Sequence, residues 1–193
     1  MQQLLFGSSN RGKIAEVSAV GARFGISIVG LEACSAEGLG APPHVVEGLP
    51  TYEANARHKA LTYARWAGRP CIGDDTGLEI PSMAGLPGLY SHRFGVPRVA
   101  ALLGLHCEVS ARFVCCVVYA EPSGRTVAVT QSLDGQLRKP SLQEVQELAN
   151  DPLPYARLFT PVGERKPLRE LLPRQGFLSH RGKAFAELVR VLR

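Results

Sequence analysis

Gln3-Leu4-Leu5-Phe6-Gly7-Ser8-Ser9-Asn10-Arg11-Gly12-Lys13-Ile14 is the stretch that decides the class of fold. Gln3–Phe6 reads as a short buried strand, and Gly7-Ser8-Ser9-Asn10 has the small, polar chemistry of a turn. Ile14, Val17, Val20 and Phe24 then recur at helical spacing, with Glu16 and Arg23 on other faces and Gly25 as a stop. A second strand is expected over Ser27–Leu31. Strand, turn, helix and strand in that order open an α/β chain.

Beyond this opening, residues 35–50 are rich in Gly and Pro and read as a loop carrying Glu47. A helix follows from about Tyr52 to Trp66, closed by Gly68 and Pro70. A short strand around Cys71-Ile72 precedes a turn-rich stretch, Gly73–Gly95, and Val99–Leu103 has helical spacing. Arg112–Tyr119 is a continuous apolar strand, and Thr126–Leu133 alternates. The turn Glu121-Pro122-Ser123-Gly124 between them makes an antiparallel hairpin. Ser141-x-x-Glu144 is a capping box ahead of Leu142, Val145 and Leu148, with Asn150-Asp151-Pro152 as the stop. Residues 152–178 read as irregular. Phe185, Leu188, Val189 and Leu192 share one face of a last helix, for which Ser179 is the N-cap. Helices mixed with strands, one pair in a hairpin, predict an α/β protein with a mixed sheet.

Composition narrows the function classes. A chain of 193 residues, 45% hydrophobic and 20% charged, can bury a sizeable core and is not a disordered chain. No apolar run approaches the roughly 20 residues that cross a bilayer. Met1-Gln2-Gln3 lacks the charged and apolar regions of a signal peptide, so a cytoplasmic protein is expected. The five cysteines contain no CxxC pair, and the five histidines are scattered, which argues against a zinc site or a disulfide framework. A net charge of +5 suits an anionic partner. The basic residues are dispersed without interleaved aromatics, so phosphate is favoured over nucleic acid.

Four constellations carry chemistry. Ser8, Ser9, Asn10, Arg11, Gly12 and Lys13 lie between a strand and a helix. There, free backbone N–H groups and the helix dipole attract phosphate, and Lys13 adds a point charge. Ser and Asn at a helix start are also ordinary caps. Asn55 and Lys59 stand one turn apart, placed either to orient an acidic cluster and touch phosphate or to form a solvated helix face. Gly73-Asp74-Asp75-Thr76-Gly77 puts two carboxylates side by side, and these cannot both be buried without counter-charge. A divalent cation is the usual solution, Mg²⁺ preferring carboxylate and phosphate oxygens, and such a carboxylate could also deprotonate a water. Ser179-His180-Arg181-Gly182-Lys183 brings hydrogen-bond donors and cations to the first turn of an amphipathic helix.

In order and content these segments resemble the inosine triphosphate pyrophosphatase family. The S/T-x-N-x-x-K turn is matched by Ser8, Asn10 and Lys13. The T-F-x-E-N-A-x-x-K-A helix is matched by Thr51, Tyr52, Asn55, Ala56, Lys59 and Ala60. D-D-S-G-L is matched by Asp74–Leu78, G-x-P-G-x-Y-S-x-R by Gly85–Arg93, and S-H-R-G by Ser179–Gly182. The resemblance implies one elongated α/β domain over residues 1–193, with a twisted mixed sheet and two lobes around a cleft, usually as a homodimer. It implies hydrolysis of non-canonical purine nucleoside triphosphates such as dITP, ITP and XTP to the monophosphate and pyrophosphate. Asp75 would activate water and, with Glu47 and Asp74, hold Mg²⁺. Ser8 to Lys13 and Lys59 would meet the triphosphate, Thr76 would lie against the substrate, and His180 and Arg181 would meet the base. Where the family carries G-F-G-Y-D-P-x-F, which packs the base, only Tyr155 and Phe159 remain, so that Tyr155 would lie against the substrate, and the aspartate is Ala156. The family's helix glutamate is Ala54, and its lysine before S-H-R is Gln175. The alternative reading is a nucleotide-binding homologue with weak catalysis, acting as a sensor.

Overall fold

A computed structural model describes residues 2–193. Strand β1 (Gln2–Phe6) pairs in parallel with β2 (Ile26–Gly30), Leu4 opposite Ile28, and with β3 (Cys71–Glu79), Leu5 opposite Cys71. The two-residue β4 (Pro87–Gly88) runs antiparallel to β3. Strands β5 (Glu108–Ala120) and β6 (Thr126–Arg138) are joined by a tight turn in which the Glu121 N–H donates to the Arg125 carbonyl. β7 (Phe159–Pro161) is antiparallel to β6. The sheet order is β2-β1-β3-β5-β6-β7, with β4 on β3, so the mixed sheet expected from the sequence is present. No helix among the described residues is long and apolar enough to cross a membrane.

The chain divides into two compact units. The first runs to Asp75 and includes Cys115–Gln131 and Arg181–Arg193; the second comprises Thr76–Val114 and Ser132–His180. In the first, Asn10 caps helix α1 (Arg11–Ala22) by accepting the Lys13 N–H, and α2 (Leu31–Cys34) passes into a π-type turn, Ser35–Leu39. Thr51 caps α3 (Tyr52–Ala67) in the same way, accepting the Ala54 N–H. Ala56, Ala60 and Ala64 form the face by which α3 enters a core with Leu5, Cys71, Cys116 and Val118. Small side chains there permit close approach, and Gly73 permits more: a Cβ on it would collide with the Ala56 carbonyl and stand 2.8 Å from the Ala60 nitrogen. The helix carrying Asn55 and Lys59 therefore lies hard against the strand carrying Asp74 and Asp75. Helix α7 (His180–Val191) buries Phe185, Leu188 and Val189.

The second unit has its own core, including Leu78, Ile80, Val99, Leu103, Phe113, Leu137 and Phe159. Phe113 meets Phe159 edge-on at 4.8 Å. Helix α4 (Ser91–Leu103) bends at Gly95, and α5 (Leu142–Glu147) opens with the capping box read from Ser141 and Glu144. α6 (Leu168–Leu171) is a single turn.

Several boundaries differ from the sequence reading. Residues 73–79 are strand, not turn: β3 continues because Leu78 and Glu79 pair with β4 while Leu5 and Phe6 hold its other end. Pairing and burial thereby outweigh the low strand propensity of Gly and Asp. α4 begins at Ser91, well before Val99, because the Ser91 hydroxyl accepts the Leu78 N–H at 2.8 Å and donates to the Gly88 carbonyl. Residues 35–50 begin inside the π-type turn rather than as open loop. Residues 152–178 hold a short 3₁₀ turn (Pro154–Arg157), β7 and α6 rather than irregular chain.

Candidate active site

Along β3 successive side chains point to opposite faces, so Asp74 and Asp75 meet different partners although both are buried. Asp75 Oδ2 accepts from Asn55 Nδ2 at 3.0 Å. The Asn55 amide is itself fixed by the loop ahead of α3: its Nδ2 also donates to the Leu49 carbonyl (3.2 Å), and its Oδ1 accepts the Leu49 N–H (2.9 Å). One turn along α3, Lys59 Nζ donates to Glu47 Oε1 at 3.0 Å. Asn55 and Lys59 thus tether the Glu47 loop at two points and bring its carboxylate within electrostatic reach of Asp75. The position proposed for Asn55 against substrate is taken up by these bonds; it orients the acidic residues.

The charges around Asp75 do not balance locally. Burial pushes its carboxyl above the usual range; Lys59 pulls it down, Glu47 pushes it up again, and the net displacement is upward. Burial alone would lower Lys59, but Asp74, Glu47 and Asp75 outweigh it and hold the ammonium firmly protonated. A carboxyl raised by burial in a polar site is the condition under which it serves as a base near neutral pH.

Asp74 stands in the opposite state. Both its oxygens lie near Lys13 Nζ, at 3.1 and 3.0 Å, and Oδ2 accepts from Arg181 Nε at 3.1 Å. Although burial opposes ionisation, Lys13, Arg181 and Lys59 hold the Asp74 carboxyl far below the ordinary carboxylate range. The counter-charge demanded by two adjacent buried carboxylates is therefore supplied, at Asp74, by protein cations. Arg181 also donates a terminal N–H to Glu16, and the two anions outweigh the burial of its guanidinium. The sequence reading passed over Glu16 as a site residue; its signal was the three-residue spacing from Lys13 on one face of α1.

The remaining candidates separate by unit. Ser8 accepts the Asn10 N–H on its Oγ at 3.2 Å, Gly12 and Lys13 are half-buried in the first turn of α1, and Ser9 and Arg11 are exposed there. Thr76 and His180 belong to the second unit, where the His180 ring stacks flat on Phe113 at 4.6 Å. Tyr155, expected beside a substrate, is built into that unit's core, its hydroxyl donating to the Ser91 carbonyl at 2.9 Å. Ala156 is buried beside it, and Gln175 is exposed. Arg181, expected against a base, is 2% exposed and engaged with Glu16 and Asp74. Among the described residues no three His, Cys, Asp or Glu side chains converge as a metal cage.

A model of the Ham1 family matches residues 4–191. The chain belongs to the Ham1 family. It is 33% identical to the dITP/XTP pyrophosphatase of Deinococcus radiodurans, the alignment covering 98% of this chain and 92% of that one. It is also 33% identical to the dITP/XTP pyrophosphatase of Streptomyces avermitilis, over 100% of this chain and 98% of the relative. Its fold is similar to a HAM1 protein from Coxiella burnetii, with a TM-score of 0.77 at 23% identity, covering 100% of this chain and 98% of the other. The family resemblance carried by Ser8–Lys13, Asn55–Lys59, Asp74–Leu78 and Ser179–Gly182 thus extends over nearly the whole Ham1 match, and the mixed α/β architecture agrees with it.

Proposed function

We propose that this chain hydrolyses nucleoside triphosphates to the nucleoside monophosphate and pyrophosphate, with non-canonical purine nucleotides such as dITP, ITP and XTP as substrates. The observation that carries the reading is Asp75: a buried carboxyl displaced upward, bonded by Asn55, and within electrostatic reach of the Lys59–Glu47 pair. In this role Asp75 takes the proton from a water as its oxygen attacks phosphorus and pyrophosphate departs. Lys59 and Lys13 offset phosphate charge, and the N–H groups at the start of α1, with Ser8, Ser9, Asn10, Arg11 and Gly12, receive the phosphate oxygens. Thr76 and His180 would meet the nucleoside portion.

Asp75 and Glu47 suit Mg²⁺, because both are hard oxygen donors and their mutual repulsion is relieved by a cation between them. Two carboxylates would leave coordination positions for water and substrate oxygens. When bound, Mg²⁺ would neutralise phosphate charge and polarise the phosphoryl group. Asp74, already engaged by Lys13 and Arg181, is assigned to holding the site together rather than to the metal. The protein is taken to be cytoplasmic, and its working form a homodimer as the family resemblance implies; a monomer mass by light scattering would remove the latter part.

The deciding experiment is a triphosphate panel containing dITP, ITP, XTP and the common nucleotides, read by pyrophosphate release. Release is expected to require Mg²⁺, to stop with EDTA, and to be lost in Asp75→Asn. Turnover that persists in that variant would remove the role given to Asp75. Ala54 and the burial of Tyr155 favour a second reading, a nucleotide sensor. That reading predicts a thermal shift with ITP and Mg²⁺ but no product.

A further inference from the structure

We propose that Glu16 is a positioning residue: through Arg181 and Asp74 it closes a ring of four alternating charges that fixes where the Lys13 ammonium stands. The inference deepens the reading above, since it rests on Lys13 receiving phosphate. Helix α1 supplies two members, Lys13 and Glu16, three residues apart and so on one face. Strand β3 supplies Asp74 and helix α7 supplies Arg181. The connections run Lys13 to Asp74 (3.0 Å), Asp74 to Arg181 (3.1 Å) and Arg181 to Glu16, which returns to the helix of Lys13.

The side chains of Asp74, Arg181 and Glu16 are 1%, 3% and 8% exposed, whereas that of Lys13 is 20% exposed. Two cations and two anions leave the ring neutral, which is the condition for burying it; an odd member would leave an uncompensated interior charge. Lys13 is the one member that reaches solvent, and it has a flexible stem and three donors. The position of its ammonium is set by the grip of Asp74. That grip depends on Glu16. With Glu16 neutralised, Arg181 draws more heavily on Asp74, two cations compete for one carboxylate, and the more exposed Lys13 is the one that can leave for water. The loss falls on phosphate capture, because Asp75 is held separately by Asn55.

Three variants test this: Glu16→Gln, Arg181→Met and the two combined. Each is read by thermal unfolding, by calorimetric titration with inorganic tripolyphosphate, and by the steady-state kinetics of dITP hydrolysis. Arg181→Met alone leaves Lys13 as the one cation of the ring against two buried anions, Asp74 and Glu16, and is expected to lower Tm most. Adding Glu16→Gln to it should restore part of that loss, since the pair Lys13–Asp74 is left neutral. Glu16→Gln alone should weaken tripolyphosphate binding about tenfold and raise KM in parallel, with kcat falling much less. The double variant should bind tripolyphosphate more tightly than Glu16→Gln does. Additive losses of Tm overturn the ring, and unchanged tripolyphosphate affinity in Glu16→Gln overturns the positioning role. A wild-type protein that binds tripolyphosphate yet releases no pyrophosphate from any triphosphate would instead sink the catalytic reading and leave this one standing.

Discussion

Around Asp74 the protein places Lys13 and Arg181 within 3.1 Å of the carboxylate, whereas around Asp75 it places the Asn55 amide and, within electrostatic reach, a second carboxylate, Glu47. The two residues are consecutive and both are buried, yet one is pushed far below the ordinary carboxylate range and the other above it. Strand alternation separates them, and the helix behind each face decides the rest: α1 and α7 bring cations to Asp74, α3 brings an amide and a lysine shared with Glu47 to Asp75. The difference teaches how burial can serve opposite ends. A carboxyl met by close cations is held ionised; one raised by burial is the more basic of the two.

The largest expected effect breaks the comparison from the Asp75 side. Asp75→Asn should slow pyrophosphate release from dITP by about 10²–10⁴-fold, the range for a lost general base. A discontinuous pyrophosphate assay at saturating Mg²⁺ measures it, and a loss under tenfold would put the base elsewhere.

Asp74→Asn breaks it from the other side. Removing the anion leaves Lys13 and Arg181 facing each other without it, which should cost about 3–5 kcal/mol in denaturant unfolding. The pH dependence has a definite sign. A carboxyl whose folded pKa is depressed stabilises the fold above its unfolded value, about 3.9, and that stabilisation fades as pH falls through the folded value. The gap between wild type and Asp74→Asn should therefore be widest near neutrality and narrow below about pH 4. A gap that stayed constant would mean Asp74 acts through packing rather than charge.

Gly73→Ala tests the closeness of α3 to β3 on which both environments depend. The added methyl must displace the Ala56–Ala60 backbone, an overpacking cost of about 1–3 kcal/mol, with activity falling further than stability alone explains as Asn55 and Lys59 shift. In the second unit Tyr155→Phe removes the bond to the Ser91 carbonyl and should cost about 0.5–1.5 kcal/mol by denaturant melting, leaving KM near that of the wild type. A several-fold rise in KM would return Tyr155 to the substrate.

The smallest effect sharpens the contrast. Because the Asp75 pKa is raised, its ionised form costs stability at pH above the folded value, and the cost disappears as pH falls toward the unfolded value. Asp75→Asn, without divalent cation, should then melt slightly above wild type at neutral pH and level with it near pH 4, close to the ordinary carboxylate value. Mg²⁺ should raise the melting temperature of the wild type and leave that variant unmoved; equal shifts in both would place the ion away from Asp75.

Much of the fold was legible because its signals are local. The Asn10 and Ser141 caps lie within three residues of the groups they bond, and the period of Ile14, Val17 and Val20 needs only the helix itself. What misled was propensity. Gly73-Asp74-Asp75-Thr76-Gly77 has the composition of a turn, and pairing of β3 with β1, β5 and β4 extends it as strand. The candidate groups Asp75 and Lys59 were legible through residue type and order, and Asn55 was read as able to orient an acidic cluster. The engagements of Asp74, Arg181 and Tyr155 were not legible, since each depends on a partner 61 to 107 residues away.

By itself, the sequence of this Ham1 family member determined which elements form and which side chains are able to bind phosphate or carry a proton. Caps, periodicity and functional groups are properties of a few neighbouring residues. The tertiary structure alone decided which of two adjacent aspartates is held ionised by close cations and which has its pKa raised. That choice depends on distance and burial in three dimensions: Coulomb interactions strengthen as water is excluded, and only the packing of α1, α3 and α7 on β3 says which charges are brought close.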